Sequence, residues 1–228
     1  MTKPMDEIKD RVAAVVVTYN RAEMLRQCLM SLQKQTMPCD ILVVDNASTD
    51  DTQALVQRAA QHDASIFYRN TGENLGGAGG FNFGMRWAVE AGYAFVWVMD
   101  DDCFPEPVAL EKLLDADRLL QGEYGWLSSV ALWTDGRECR MNRPKIKKNF
   151  YDRIELLRDG ILLAEQATFV SLFLKAETIR AVGLPVKEFF IWGDDIEYTR
   201  RITIRGKMPC YVVGQSRVIH LSLIHISE

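Results

Sequence analysis

Histidine is scarce in this chain, with three among 228 residues, and none stands in an HExxH frame. Five cysteines (Cys28, Cys39, Cys103, Cys139, Cys210) are odd in number and contain no CxxC pair. That speaks against a cysteine zinc site or a disulfide framework and for a reducing, cytoplasmic setting. No Ser-His-Asp signature is present, so a nucleophilic hydrolase has no support. A strong excess of either sign is lacking: the net value of -4 gives no reason to expect nucleic acid as a partner. No apolar run reaches membrane-spanning length, since the longest candidate, Ile161 to Leu174, is interrupted by Glu165 and Gln166. Met1 to Arg11 alternates acids and bases, unlike a signal peptide.

What remains is a composition of 48% hydrophobic and 25% charged residues, that of a globular protein whose length suits one core and a single domain. Val12 to Thr18 is a β-branched run followed by helical spacing through Leu25, Leu29 and Leu32. Ile41 to Val44 and the helix pattern over Thr52 to Gln61 repeat the unit, and Ser65 to Tyr68 gives a short third strand. Successive βα units predict a parallel sheet with right-handed crossovers. Asn70 to Gly80 is glycine-rich and runs into a helix near Phe81 to Glu90. Strands are also expected over Gly125 to Trp133, over Phe169 to Leu174 and, as a final strand in two pieces, over Tyr211 to Val213 and Arg217 to His220, with helices over Glu106 to Gln121, Glu177 to Val182 and Asp194 to Arg205.

The most informative stretch is Tyr93 to Cys103, an apolar strand pattern that ends in Asp100, Asp101 and Asp102. Three adjacent carboxylates repel one another, so a divalent cation at the strand's carboxyl end is the simplest reason for them. A helix cap before Pro105 would need one Asp only. Thr18 to Arg21, Asp45 to Asp50 and Asn70 to Gly80 fall at the same edge, where open α/β sheets bind ligands. Such a crevice suits a nucleotide, with Asp45 offering acceptors to base or ribose. The glycines have neither the Lys-Ser/Thr of a phosphate loop nor the G-x-G-x-x-G frame, and serve equally well as ligand contacts or as the opening of a helix.

Asp194, Asp195 and Glu197 form a second acidic cluster. Asp194 can cap its helix and Glu197 can pair with Arg201, whereas Asp195 beside the apolar Phe189 to Trp192 has the setting of a general base. His220, after Val218 and Ile219, is a candidate third metal ligand against the commoner structural role. His62 and His225 are weaker candidates. The basic run Arg137 to Arg153 serves either as a phosphate-binding loop or as a solvated surface.

These residues resemble the family 2 glycosyltransferases, from Val12 to about His220. Val15 to Arg21 is similar to the family's opening strand and nucleotide-contacting turn, which implies substrate contacts from Thr18, Tyr19, Asn20 and Arg21. Val43 to Asp50 is similar to its second, implying base or ribose contacts from Asp45 and Asn46. Asn74, Gly76 and Gly77 lie in a segment similar to the donor-site lining. Asp100 to Asp102 matches the DXD-type motif, implying ribose contacts from Asp100 and Asp101 and metal contacts from Asp100 and Asp102. Asp194 and Asp195 match the ED-type motif, with Asp195 as catalytic base.

Phe190 to Tyr198 looks most like the galactofuranosyltransferase branch, with rhamnosyltransferases close behind, and this places Trp192 and Asp194 against substrate and His220 on the metal. The resemblance implies a GT-A fold, which is Rossmann-like: an α/β domain with a mostly parallel central sheet flanked by helices. Residues 12–103 would be the nucleotide-binding half and 104–220 the acceptor half. It implies an inverting hexosyltransferase using Mn²⁺ or Mg²⁺, a UDP- or dTDP-linked donor and a glycan or lipid-linked acceptor. The setting is cytoplasmic, with peripheral association at the inner face of a membrane allowed. The tail 221–228 matches nothing expected there and reads as truncated or non-native. A nucleotidyltransferase, or a domain that binds a sugar nucleotide without turnover, are the competing readings.

Overall fold

The computed structural model describes residues 11–221; the amino-terminal segment and the tail 222–228, with His225, lie outside the described residues. Strand β1 (Val12–Thr18) is buried along its whole length, as a strand covered on both faces must be. It leads through α1 (Ala22–Gln33), β2 (Asp40–Asp45), α2 (Thr52–His62) and β3 (Ile66–Asn70) to α3 (Gly76–Glu90) and β4 (Phe95–Asp100). These four strands are parallel, in the order β3-β2-β1-β4.

The remainder comprises β5 (Cys103–Pro105), α4 (Ala109–Leu119), β6 (Leu127–Leu132), β7 (Lys145–Ile146), β8 (Ile161–Gln166), β9 (Leu172–Lys175), α5 (Ala176–Val182), α6 (Asp194–Arg200) and β10 (Cys210–His220). The sheet continues β4-β9-β6-β10-β8-β7, with β5 paired to β10. The expected parallel arrangement forms the first half of the sheet, and the sheet as a whole is mixed. Past β4 only β6 with β10 is parallel, and β9, β8, β7 and β5 all pair antiparallel.

Apolar side chains fill both faces. Ala14 and Val16 meet Leu25 and Leu29 of α1 and Leu110 and Leu113 of α4 on one side. Ala13, Val15 and Val17 meet Phe81 and Met85 of α3, with Tyr198 of α6, on the other.

The glycine-rich segment is helical from Gly76 onward, earlier than its composition suggested. Close packing explains this. A Cβ on Gly80 would lie 2.5 Å from Val17 Cγ1, and one on Gly84 would lie 2.4 Å from Val15 Cγ1. Small residues let α3 settle onto β1, and its first turn then faces the crevice.

Candidate active site

The carboxyl ends of β1 to β4 form the crevice expected from their loops. Thr18, Tyr19 and Arg21 from the first loop line a cleft of about 270 Å³ together with Asn46, Asn74, Gly76 and Gly77. Asp100 and Asp101 form its floor, and Phe190 and Ile191 form its roof. The roof is docked on α3, because the Phe190 carbonyl accepts the Ala78 N–H at 3.0 Å. Gly76 has φ +69° and sits so close to that carbonyl that a Cβ would meet it at 2.2 Å.

Two of the expected substrate residues stand behind the cleft. Asp45 has no exposed surface, and its oxygens accept the Ser48 N–H at 2.8 Å and the Tyr68 hydroxyl at 2.7 Å. Asn20 accepts the Thr49 N–H at 2.7 Å, and its own N–H donates to Ser48 Oγ. Asn20 ties the first two loops together and Asp45 ties the second to β3, and neither is among the residues lining the cleft. Asn46 does reach it: Nδ2 donates to the Gly76 carbonyl at 2.9 Å, and its buried Oδ1 has no partner among the described residues.

The three aspartates are held differently. Asp101 accepts the Thr18 hydroxyl at 2.7 Å and Arg21 Nη1 at 3.3 Å, yet burial dominates and its pKa rises to about 6. Asp102 is also buried, but the hydrogen bond and charge of His220, with the Arg21 guanidinium at 2.8 Å, outweigh that and lower its pKa. Asp100 is pushed well above the carboxylate range by burial and then by the charges of Asp102, Asp101 and Asp194.

His220 comes from the far end of the chain. The antiparallel pairing of β10 with β5 sets it opposite Cys103, and its Nε2 lies 3.1 Å from Asp102 Oδ1. One ligand atom each from Asp100, Asp102 and His220 lies within 4.8 Å of the others. Two carboxylates and an imidazole suit Mn²⁺ or Mg²⁺. A cation between these groups would relieve the repulsion that adds to the effect of burial on Asp100.

A second cavity opens on the other side of Asp100, sharing Arg21, Gly77, Asp100 and Ile191 with the cleft. Asp102 and His220 face it from one wall, and Trp192, Asp194 and Asp195 from another. Asp194 is 5% exposed, and burial with the adjacent Asp195 charge raises its pKa to about 6. Burial raises Asp195 too, against the opposing hydrogen bond from the Ile196 N–H. The apolar wall expected there is open: Ile191 and Trp192 line the cavity but are 58% and 69% exposed.

Met141, Asn142, Thr168 and Phe169 also line this cavity, and sequence reasoning missed them. Asn142 lies in a polar stretch whose residue types mark nothing, and no periodicity locates Thr168. Of the seven cations between Arg137 and Arg153, four are paired, Arg137 with Asp135, Arg143 with Glu138, Lys145 with Glu165 and Arg153 with Glu155. This weakens the phosphate-loop reading.

Comparison with known proteins bears on the whole arrangement. The sequence model described as Glycosyl transferase family 2 matches residues 13–119. The undecaprenyl-phosphate mannosyltransferase of Micrococcus luteus is 31% identical over 205 residues, covering 86% of this chain and 79% of that protein. The chain belongs to the family 2 glycosyltransferases.

Within this glycosyltransferase family it lies close to the galactofuranosyltransferase branch. Galactofuranosyltransferase GlfT1 of Mycobacterium tuberculosis is 32% identical over 219 residues, 88% of this chain and 66% of that one. The chain thus spans about two thirds of the length of that relative. The crystal structure of GalNAc-T7 with UDP, GalNAc and Mn²⁺ superposes with a TM-score of 0.78 at 14% identity, covering 93% of this chain and 43% of that one. The fold of this glycosyltransferase is therefore GT-A.

Proposed function

We propose that this glycosyltransferase is metal-dependent and inverting. It moves galactofuranose, with rhamnose as second choice, from a UDP- or dTDP-linked donor to a hydroxyl of a glycan or lipid-linked acceptor. The observation that carries the reading is the grouping of Asp100, Asp102 and His220, of which Asp100 lines both cavities, with Asp195 lining the second.

Residues 12–103 form the donor half. Thr18, Tyr19, Asn46 and Asn74 hold the nucleoside, and the unpartnered Oδ1 of Asn46 suits a base or ribose donor. Gly76 and Gly77 let the backbone approach the diphosphate. Asp100, Asp102 and His220 hold Mn²⁺ or Mg²⁺, which when bound neutralises charge on the departing diphosphate. Arg21 keeps Asp101 and Asp102 in place through its paired carboxylates.

Residues 104–220 form the acceptor half. Trp192 and Asp194 flank the acceptor, and Asp195 takes the proton from its hydroxyl as that oxygen attacks the anomeric carbon. A single base suffices for inversion, unlike the two-carboxylate chemistry of retaining glycosidases. The relative named for undecaprenyl phosphate and the one named for galactofuranosyl transfer favour a lipid-linked acceptor and that donor sugar. Such an acceptor brings the protein to the inner face of a membrane from the cytoplasm. Among the described residues no helix is long and apolar enough to cross one.

The test supplies UDP-galactofuranose, Mn²⁺ and a polyprenyl-linked glycan to the full chain and follows UDP release. Acceptor-dependent release is expected, lowered about 10²–10⁴-fold in Asp195→Asn with UDP affinity kept. Unchanged turnover in that variant removes Asp195 from the chemistry. Pyrophosphate release from a nucleoside triphosphate would instead identify a nucleotidyltransferase.

A further inference from the structure

The ring of His220 is gripped from both ends. Its Nε2 faces Asp102 Oδ1 at 3.1 Å, and its Nδ1 faces Asn142 Oδ1 at 2.9 Å. Asn142 ends a short 3₁₀ turn, where its N–H donates to the Cys139 carbonyl at 3.0 Å, and the Cys139 N–H is pinned in turn to Ala131 at the end of β6. The amide is oriented by two further contacts. The Cys139 thiol donates to Asn142 Oδ1 at 3.0 Å, and Asn142 Nδ2 donates to Thr168 Oγ1 at 3.2 Å.

This orientation has a consequence for the imidazole. An amide oxygen only accepts, so the proton of a neutral ring must sit on Nδ1. Nε2 then presents a lone pair towards Asp102. Two acceptors 3.1 Å apart repel unless a proton or a cation lies between or beside them, and a metal on Asp100 and Asp102 is such a cation. Had the amide been turned over, its Nδ2 would select the opposite tautomer, with Nε2–H donating to Asp102 and no lone pair left for a metal.

We infer that Asn142 is a positioning residue, which, held by Thr168 and Cys139, fixes His220 in the Nδ1–H tautomer and aims Nε2 at the Asp100–Asp102 pair. The inference rests on the metal reading of these residues. It adds a member of the site that is not one of the metal's own ligands. Partners of this kind, outside a metal's own ligands, govern affinity by fixing ring orientation and basicity.

The test is a Mn²⁺ titration of the full chain, read by the electron paramagnetic resonance of the free ion and needing no turnover. Asn142→Leu keeps the volume and removes the acceptor, and is expected to weaken Mn²⁺ about 10–100-fold. Asn142→Asp restores an acceptor and should bind within a few-fold of the unaltered chain. Thr168→Val, which frees the amide to turn, should lower affinity in the same direction by less.

Nitrogen-15 long-range correlation spectra of the unaltered chain with Mg²⁺, assigned with His220→Gln, should show His220 protonated at Nδ1. Equal Mn²⁺ affinity for Asn142→Leu and the unaltered chain, equal losses in the Leu and Asp variants, or an Nε2–H ring would each overturn the inference while the metal site stands. Failure of the unaltered chain to bind Mn²⁺ any better than His220→Ala would overturn both.

Discussion

His220 lies opposite Cys103 in the pairing of β10 with β5, and that register carries its Nε2 to 3.1 Å from Asp102. Because successive side chains alternate across a strand, a slip of one residue would point His220 away from the carboxylates. The three-residue β5 therefore has more influence on the site than its length suggests. Leu221 adds a further tie, its N–H donating to the Asp102 carbonyl at 2.9 Å.

Repulsion among the acids should be measurable as stability. In metal-free protein Asp100→Asn removes a charge that burial and three neighbouring carboxylates oppose. The unfolding free energy is expected to rise on the order of 1 kcal/mol, a gain of about 2–4 °C for a chain of this size. With Mn²⁺ and UDP the order should reverse, since only the unaltered chain is stabilised by ligand. Thermal melts with and without both ligands check it, and a lower metal-free midpoint for the variant contradicts the account.

Asp194 predicts a pH dependence. Its folded pKa of about 6 lies above the ordinary carboxylate value, so between roughly pH 4 and 6 the folded state binds more protons than the unfolded one. Stability contributed by the neutral form is present at the acid end of that window and is lost as pH rises through it. Asp194→Asn should flatten this slope, by on the order of 1–3 kcal/mol across the window. Urea unfolding at pH 4.5 and 7 of both proteins measures the difference.

Activity should run the other way. Asp195 acts as a base only when ionised, and burial raises its pKa. The acid limb of kcat should therefore have its midpoint above the usual carboxylate value, with turnover increasing with pH through it. A pH-rate profile with product formation as the readout tests this, and a flat profile down to pH 4 would exclude it.

Gly84→Ala tests the packing of α3. Alanine improves helix propensity by about 1 kcal/mol, but its Cβ would meet Val15 Cγ1 at 2.4 Å and Val44 Cγ2 at 2.9 Å. Both valines sit on buried central strands and have stiff side chains, so overpacking of about 1–3 kcal/mol wins. Denaturant unfolding should show a net loss of stability.

Much of this was legible beforehand, and the rest had physical reasons to be hidden. The βα rhythm from Val12 to Asp100 follows from apolar runs broken by polar turns, and the aspartates announce themselves through mutual repulsion. Cys103 to Pro105 is too short to carry any periodicity, so the pairing that delivers His220 could not be read from it. Gly76 to Gly80 resembles a loop by composition, because the packing that makes those glycines helical lies on Val17 and Phe190. Asp45 and Asn20 sit in the expected loops, yet a neighbouring hydroxyl and backbone N–H groups occupy their oxygens. Asn142 matters through one hydrogen bond made in three dimensions.

The segment around Phe190 has a further consequence. Phe190 holds φ 63° and ψ -64°, and the Ile191 N–H reaches back to the Phe189 carbonyl at 2.8 Å, a tight three-residue turn of the rare, strained hand. One side of this turn covers the first cleft and the other, through Ile191 and Trp192, borders the cavity beside Asp195. Occupancy of the two chambers is thus mechanically shared. A ligand that displaced Phe190 in the first cleft would act through Ile191 on Trp192 beside the second.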